Sequence, residues 1–566
     1  MFEKFKPGRI IGNFYRRIGG TAEHSLENSD KRGFIVLQID GLSRFILNLA
    51  VRKRTMPFLA RMVRRKKLNL MPLFPGLPAT TPAFQLAVMY GEENKVPGFR
   101  WFEKDKQQFR IMKGIEDTAA IEEEVERTNG PGVLHGGVSY CTIFSGSAAE
   151  STFTASRLSL SRERMAFSVF QTVILFLLHF GAFLRVIGLS FLEMLTEIYD
   201  EIKVRMAGRM RRSSLAFTLV RIISNVVLRE TATGMAVVDI YRGVPSIYIN
   251  YFGYDELGHH RGPVSIMARL SLRGIDAQIR KIWKAAQKAW PGRYDLYVIS
   301  DHGQVPTVPF EKLYGMEFSD YLSNVLLKQK VNTLKITGDE LRISRTLSFI
   351  NYLNSLAPML PKWLKKIADH SVKKMTKELS DVIPESNAGE LGDVYVLPTS
   401  DMAHVYFNRK RLRLSVEDIE IDHPGAIAAI VGHPGVFMAA GRSPRGTKVF
   451  TKRGMSVLNP VNGAVIEGID PFKLFDAVEG LRSSLVHLVK LEHSGDLVVF
   501  LAKKGIRVLN FQEELGGHGG LYAEEQSAFV VGPPSVIPSQ RGDAAQYVPM
   551  DLHKIFSSYG QRTNSS

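Results

Sequence analysis

Apolar runs that end in ionisable residues constrain this chain more than any other feature. Gly33 to Asp40 (GFIVLQID) is a β-branched, apolar run of the kind buried on both faces of a parallel sheet, and it closes on a carboxylate followed by Gly41. Ser246 to Tyr251 (SIYINY) and Asp295 to Ser300 (DLYVIS) repeat the pattern, with helical periodicity between them around Ile266 to Trp290. Asp496 to Leu501 (DLVVFL) is a fourth such run. Strands alternating with helices predict an α/β fold built on a doubly wound, mostly parallel sheet. The region 121–240 is apolar, Arg-rich and helical in pattern, and reads as an insertion into that sheet; 331–480 reads as a second insertion or cap. The core is then expected in three pieces, 33–120, 241–330 and 481–545.

Open α/β sheets bind ligands beyond the carboxyl ends of their strands, and four polar clusters fall in such places. They are Ile39-Asp40-Gly41, Tyr254 to Pro263 (YDELGHHRGP), Ser300-Asp301-His302-Gly303, and Gly516 to Gly520 (GGHGG). In the second, Asp255 and His259 stand four residues apart, and in the last His518 is flanked by glycines. One His in a Gly-rich loop reads most simply as a turn residue, and one strand-end Asp as a helix cap. Together, Asp40, Asp255, Asp301, His259, His302 and His518 form a His/carboxylate mixture suited to divalent zinc or manganese.

A nucleophile candidate lies in Pro78-Ala79-Thr80-Thr81-Pro82, ahead of an apolar helical run from Ala83 to Tyr90 that ends at Gly91. Thr followed by Pro is the ordinary start of a helix, as N-cap and N1. A hydroxyl there also faces unsatisfied N–H groups at the positive end of the helix dipole, which could receive a phosphoryl oxygen.

Composition closes off several alternatives. One cysteine in 566 residues excludes a disulfide scaffold and any Cys-cluster zinc site. Hydrophobic content of 45% and charged content of 23% exclude wholesale disorder, collagen and coiled coil. The excess of 73 Lys+Arg over 56 Asp+Glu, a formal charge of +17, favours anionic partners: nucleic acid, phosphorylated substrates or an acidic membrane surface. No segment reads as a nucleic-acid-recognition module, so no nucleic-acid partner is expected.

The set IDG, PATTPA, DELGHHRGP, SDHG and GGHGG resembles the type I phosphodiesterase/nucleotide pyrophosphatase family of the alkaline phosphatase superfamily. The DxxGHxxGP element, matched at Asp255, Gly258, His259, Gly262 and Pro263, is the most specific part. The resemblance implies an alkaline phosphatase-like core and two divalent metal ions, zinc with manganese as the alternative. One would be held by Asp40, Thr81, Asp301 and His302, the other by Asp255, His259 and His518. It implies a hydrolase that cleaves a phosphoester, a phosphodiester foremost, through a phosphothreonine. Alternatives are a phosphomonoesterase, a transferase of lipid phosphoryl headgroups, and a non-catalytic membrane-associated scaffold. Pro78 and Gly91 have the family's spacing for Thr81 as nucleophile, whereas a Thr-x-Pro pattern selects Thr80. The family's nucleotide pyrophosphatases carry an Asn three residues after the nucleophile; here that place is Phe84 for Thr81, or Ala83 for Thr80. Cys141, in SYCTIFSG, lacks the C/S-x-P-x-R context of a sulfatase.

Met165 to Leu184 is a twenty-residue run without a formal charge, long enough to span a bilayer. A single crossing there would put Asp40 and Thr81 on one side and Asp255, Asp301 and His518 on the other. The run is therefore expected to be half of a hairpin, a monotopic or re-entrant element, or a buried helix. With no recognisable signal peptide, the expectation is membrane association at the cytoplasmic face, with an anionic lipid surface as candidate partner. The basic residues around Trp363 and the run from Arg52 to Lys67 fit that partner, though a solvated helix face is the plainer reading of each.

Overall fold

The computed structural model describes residues 25–28, 31–112, 115–157, 188, 195, 223–326, 331–333, 393–474, 480–539 and 546–560. The main sheet consists of β1 (Gly33–Ile39), β2 (Asn69–Leu73), β3 (Val138–Tyr140), β4 (Glu150–Thr152), β5 (Ser246–Tyr251), β6 (Tyr294–Ile299) and β7 (Ala528–Gly532), in the spatial order β2-β7-β6-β1-β5-β3-β4. β1 runs parallel to both neighbours, with Leu37 opposite Ile249 and Val298. β3 is parallel to β5 and to β4, while β7 is antiparallel to β6 and β2. The mostly parallel α/β sheet is the one expected.

All of β1 is buried, so its alternation shows in what each side chain meets. Ile35, Leu37 and Ile39 enter one core cluster. It also takes the inner faces of α1 (Arg44–Arg52), α2 (Pro57–Arg64), α5 (Arg229–Arg242) and α7 (Ile266–Ala289). Phe34 and Val36 point the other way, into a cluster with α3 (Thr81–Tyr90), α4 (Ile115–Asn129) and α8 (Pro549–Ser557). Helices thus cover both faces, and the carboxyl ends of β1, β5 and β6 open on one edge. The helix α6 (Gly253–Arg261) follows β5 directly at that edge.

Two sequence expectations need correction. The run Asp496 to Leu501 is a buried strand, but over 497–501 it pairs antiparallel with Met402–Phe407 and Val436–Ser443 in a separate eight-stranded sheet. A continuous apolar run cannot tell a parallel strand from a central antiparallel one covered on both faces. Residues 138–140 and 150–152, inside the stretch read as helical insertion, are β3 and β4 of the main sheet; short strands carry too little periodicity to announce themselves. Lys104, in the turn of the two-stranded hairpin Arg100–Glu103/Gln108–Ile111, ties that hairpin to the eight-stranded sheet: its ammonium is buried 2.9 Å from Asp496 Oδ2.

A small four-stranded sheet joins this architecture to the site. In it Gly516 and Gly517 pair with Pro306 and Val305, just beyond β6. Among the described residues no helix is long and apolar enough to cross a membrane. The run 165–184 and the basic stretch around Trp363 lie outside the described residues.

Candidate metal centre

Asp40 is the first residue past β1, with its backbone N–H donating to Tyr251 O on the neighbouring strand. Its carboxylate is held from the side by Asn250, whose Nδ2 donates to Oδ2 at 2.9 Å. Gly41 follows at φ +70°, and a Cβ there would strike the Asp255 carboxylate, so glycine is what lets the loop after β1 meet the helix α6. Its N–H donates to Asp301 Oδ1 at 3.2 Å. Asp301 and His302 come from the loop after β6, both fully buried.

Thr80 and Thr81 open α3, which ends on Gly91 in the left-handed conformation. Thr80 is the extended N-cap, yet its hydroxyl makes no cap bond and is buried without a partner. The Thr81 hydroxyl donates to Asp40 Oδ1 at 3.2 Å and lies 3.3 Å from His302 Nε2. The structure therefore brings Thr81, and not Thr80, against the acidic cluster.

The other half of the centre comes from α6 and the Gly516–Gly520 loop. His259 Nε2 is 3.2 Å from Asp255 Oδ2, one helical turn away. His518 Nε2 is 3.9 Å from Asp255 Oδ1, and its ring stacks on that of His302 at 3.7 Å between centroids. Two triads result, Asp40–Asp301–His302 and Asp255–His302–His518, with ligand atoms in each within 4.8 Å of one another. All seven expected residues lie in one connected group. The division differs from the expected one in that His302 belongs to both triads, while His259 borders the second through Asp255.

The donor set fits divalent cations on three counts. Each imidazole is turned the same way: Nδ1 donates to a backbone carbonyl (Gly303 O for His302 at 3.1 Å, Ala79 O for His518 at 2.8 Å, Gly516 O for His259 at 2.9 Å). That fixes Nε2 as the free lone pair facing the carboxylates, the arrangement that orients metal-binding histidines. Asp301 Oδ2 is buried without a hydrogen-bond donor, a cost that a cation would relieve. The local electrostatics agree. Burial, with Asp301 and Asp255 nearby, holds the Asp40 carboxyl well above its usual range. Burial pushes Asp301 up to about 7. Burial lowers His302, and together with the neighbouring His302 ring it lowers His518 further. Asp255 is held low against burial by His259 and His518, and His259 is raised against burial by Glu514 and Asp255.

Several supporting residues escaped the sequence reading. Asn250 is the one amide in the apolar run SIYINY, a visible signal. Gln304, whose Nε2 donates to Asp255 Oδ1, directly follows the SDHG motif. Glu514, 3.2 Å from His259 Nδ1, stands two residues before GGHGG. Asp401 and Glu525 carried no local signal. Gly520 N donates to Glu525 Oε2 at 2.8 Å, and the Asp401 carboxylate lies where a Cβ on Gly520 would be.

That pair yields a pH prediction. Both residues are fully buried, burial pushes Asp401 up to about 7, and burial with the adjacent Asp401 raises Glu525. A carboxyl whose folded pKa exceeds its unfolded value of about 3.9 binds a proton on folding. Its stabilising contribution is full below the unfolded pKa and is lost as pH rises through about 7. Asn mimics the protonated form. Relative to the parent, Asp401→Asn should therefore gain stability by roughly 1.4 kcal/mol per pH unit between pH 5 and 7. Denaturant melts of both proteins across that range check this; a constant difference would refute it.

Residues 209–455 match the model of the family described as type I phosphodiesterase / nucleotide pyrophosphatase. That stretch contains Asp255, His259, Asp301 and His302, but not Asp40, Thr81 or His518. Among curated proteins none matches the chain by sequence. Of solved structures, phosphonoacetate hydrolase from Sinorhizobium meliloti 1021, in complex with phosphonoacetate, is similar over 94% of this chain and 96% of its own, at 12% identity and a TM-score of 0.45. Murine ectonucleotide pyrophosphatase / phosphodiesterase 5 is similar over 94% of this chain and 96% of its own, at 11% identity and a TM-score of 0.43.

Proposed function

From a chain whose residues 209–455 match the model of the type I phosphodiesterase / nucleotide pyrophosphatase family, we propose a two-metal phosphodiesterase-type hydrolase that works through a phosphothreonine on Thr81. The observation that carries this reading is the Thr81 hydroxyl, at the first turn of α3 and 3.2 Å from Asp40 Oδ1 beside two His/carboxylate triads that share His302. Asp40, Asp301, His302 and Thr81 would hold one ion; Asp255, His259 and His518 would hold the other. Zinc suits these donors best, with manganese as the alternative. Bound there, the cations would lower the hydroxyl pKa and neutralise charge on the phosphoryl oxygens.

The chain's own groups do the rest. Asn250 fixes Asp40, and the carbonyls of Ala79, Gly303 and Gly516 fix the three imidazoles, so the polar cage is set before substrate arrives. The hydroxyl already donates to Asp40, which gives its proton a path off the oxygen as the Thr81 Oγ1–P bond forms. The bond from phosphorus to the leaving alcohol breaks in line, and the alcohol oxygen takes up a proton. Unpaired N–H groups at the α3 N-terminus receive a non-bridging oxygen. Water then adds to phosphorus and returns Thr81 as the free alcohol. Phe84, in the place of the Asn of the family's nucleotide pyrophosphatases, is buried in the core under α3 and offers no amide to a phosphoryl group.

The test is metal analysis of the purified protein together with hydrolysis of bis(p-nitrophenyl) phosphate and of the monoester. Bound divalent metal and chelator-sensitive release from the diester are expected. A protein with neither would sink the reading.

A further inference from the structure

Nearly all of the chain's charge excess sits on one flank of the main sheet. Residues 44–67, which form α1, α2 and the turns after them, contain nine Lys or Arg and no Asp or Glu. The helix α7 adds six Lys or Arg and a single acid, Asp276. That acid is spent internally: it is buried and accepts the backbone N–H groups of Phe58 and Leu59 at 2.9 Å each, at the start of α2. α2 packs against both α1 and α7, so the three helices make one continuous surface. Fourteen of the fifteen cations are exposed on it, Arg269 being half-buried. Among the described residues only Lys281 finds a carboxylate, Glu230, at 3.5 Å. The remaining residues of the chain are close to balanced in charge.

A solvated helix face ordinarily mixes acids with its bases, and this one does not. Its apolar residues are equally uneven. Phe45 is 61% exposed, and Val264, Ile266 and Leu270 are 55%, 66% and 45% exposed. All four lie at the N-terminal ends of α1 and α7, the ends next to the Asp40 loop and α6. Exposed bulky apolar side chains beside an unbroken cationic field match a surface that is anionic outside and hydrocarbon beneath. A nucleic-acid duplex satisfies the cations but gives the apolar residues nothing to enter.

We propose that the flank formed by α1, α2 and α7 docks on an anionic lipid bilayer, with Phe45, Val264, Ile266 and Leu270 dipping below the headgroups. The docked protein then has the loop that carries Asp40, and the helix α6 that carries Asp255, next to the lipid surface. This docking stands apart from the hydrolytic reading and survives if that reading fails.

The test is co-sedimentation of the full chain with extruded vesicles of phosphatidylcholine alone or mixed with phosphatidylglycerol. Binding is expected only to the mixed vesicles, with release by high salt. The variant Arg64→Glu, Arg65→Glu, Lys67→Glu, Lys284→Glu should lose at least about tenfold in partitioning. Ile266→Ser with Leu270→Ser should weaken binding to the same vesicles. An unchanged melting temperature in both variants controls for folding, since none of these side chains is buried. Equal binding to neutral vesicles, or undiminished binding by the charge variant, would overturn the proposal. Binding to duplex DNA without binding to the mixed vesicles would also overturn it, assigning the flank to nucleic acid.

Discussion

Replacing Thr81 by Ala is expected to cut kcat against a diester by on the order of 10⁴-fold or more, with metal content close to that of the parent. Its oxygen is the one hydroxyl that touches both the Asp40 carboxylate and the His302 imidazole. Removing it takes away the attacking atom, whereas the carboxylates and imidazoles that make up most of the donor set remain. Thr80→Ala is the matched control. The Thr80 hydroxyl is buried without a partner, so its removal should change kcat by less than about tenfold, within the range of a helix-start adjustment. Steady-state kinetics with metal analysis on the same samples decides between them. A collapse on Thr80→Ala with Thr81→Ala active would move the nucleophile by one residue and end the geometric argument above.

Loss of His302 should do more damage to metal binding than loss of any other imidazole. Its Nε2 lies 3.4 Å from Asp301 Oδ2 and 3.7 Å from Asp40 Oδ1, and its ring stacks on that of His518 at 3.7 Å between centroids. His302→Ala should therefore remove a ligand of the ion beside Asp40, lowering that affinity by about 10²-fold or more, and weaken the other ion less, by freeing the His518 ring that stacks on His302. His259→Ala should release only the ion beside Asp255, because His259 reaches the cluster through that one carboxylate. Metal stoichiometry after dialysis separates the two. Equal stoichiometry in the two variants would show that His302 does not support the second ion.

The main sheet and the four polar clusters were legible because each cluster follows a long apolar run. GFIVLQID and DLYVIS are buried along their length, and the Asp at or beyond each strand end is itself buried at the carboxyl edge of the sheet. What the sequence concealed is long-range partnership. DLVVFL looks like any parallel core strand, and only its neighbours, Met402–Phe407 and Val436–Ser443, make it antiparallel. His302 reads as belonging to SDHG alone, because nothing local reveals that His518 stacks on it from 216 residues away. Asp401 is invisible for the same reason: an isolated Asp in a turn between two strands gives no hint that a glycine loop will seal it from water. The choice between Thr80 and Thr81 was open in the spacing of the motif and becomes a matter of which hydroxyl the helix turns inward.

The pairing of Gly516 and Gly517 with Pro306 and Val305 has a consequence for synthesis. Residues near position 40 emerge from the ribosome long before those near 518, so the candidate ligand cage has a vacant corner until that loop is made. An incomplete cage holds metal poorly, and its carboxylates repel one another while they wait. A chain stalled before residue 516 would lack His518, and a cation held by Asp255 and His259 would then be short of one ligand.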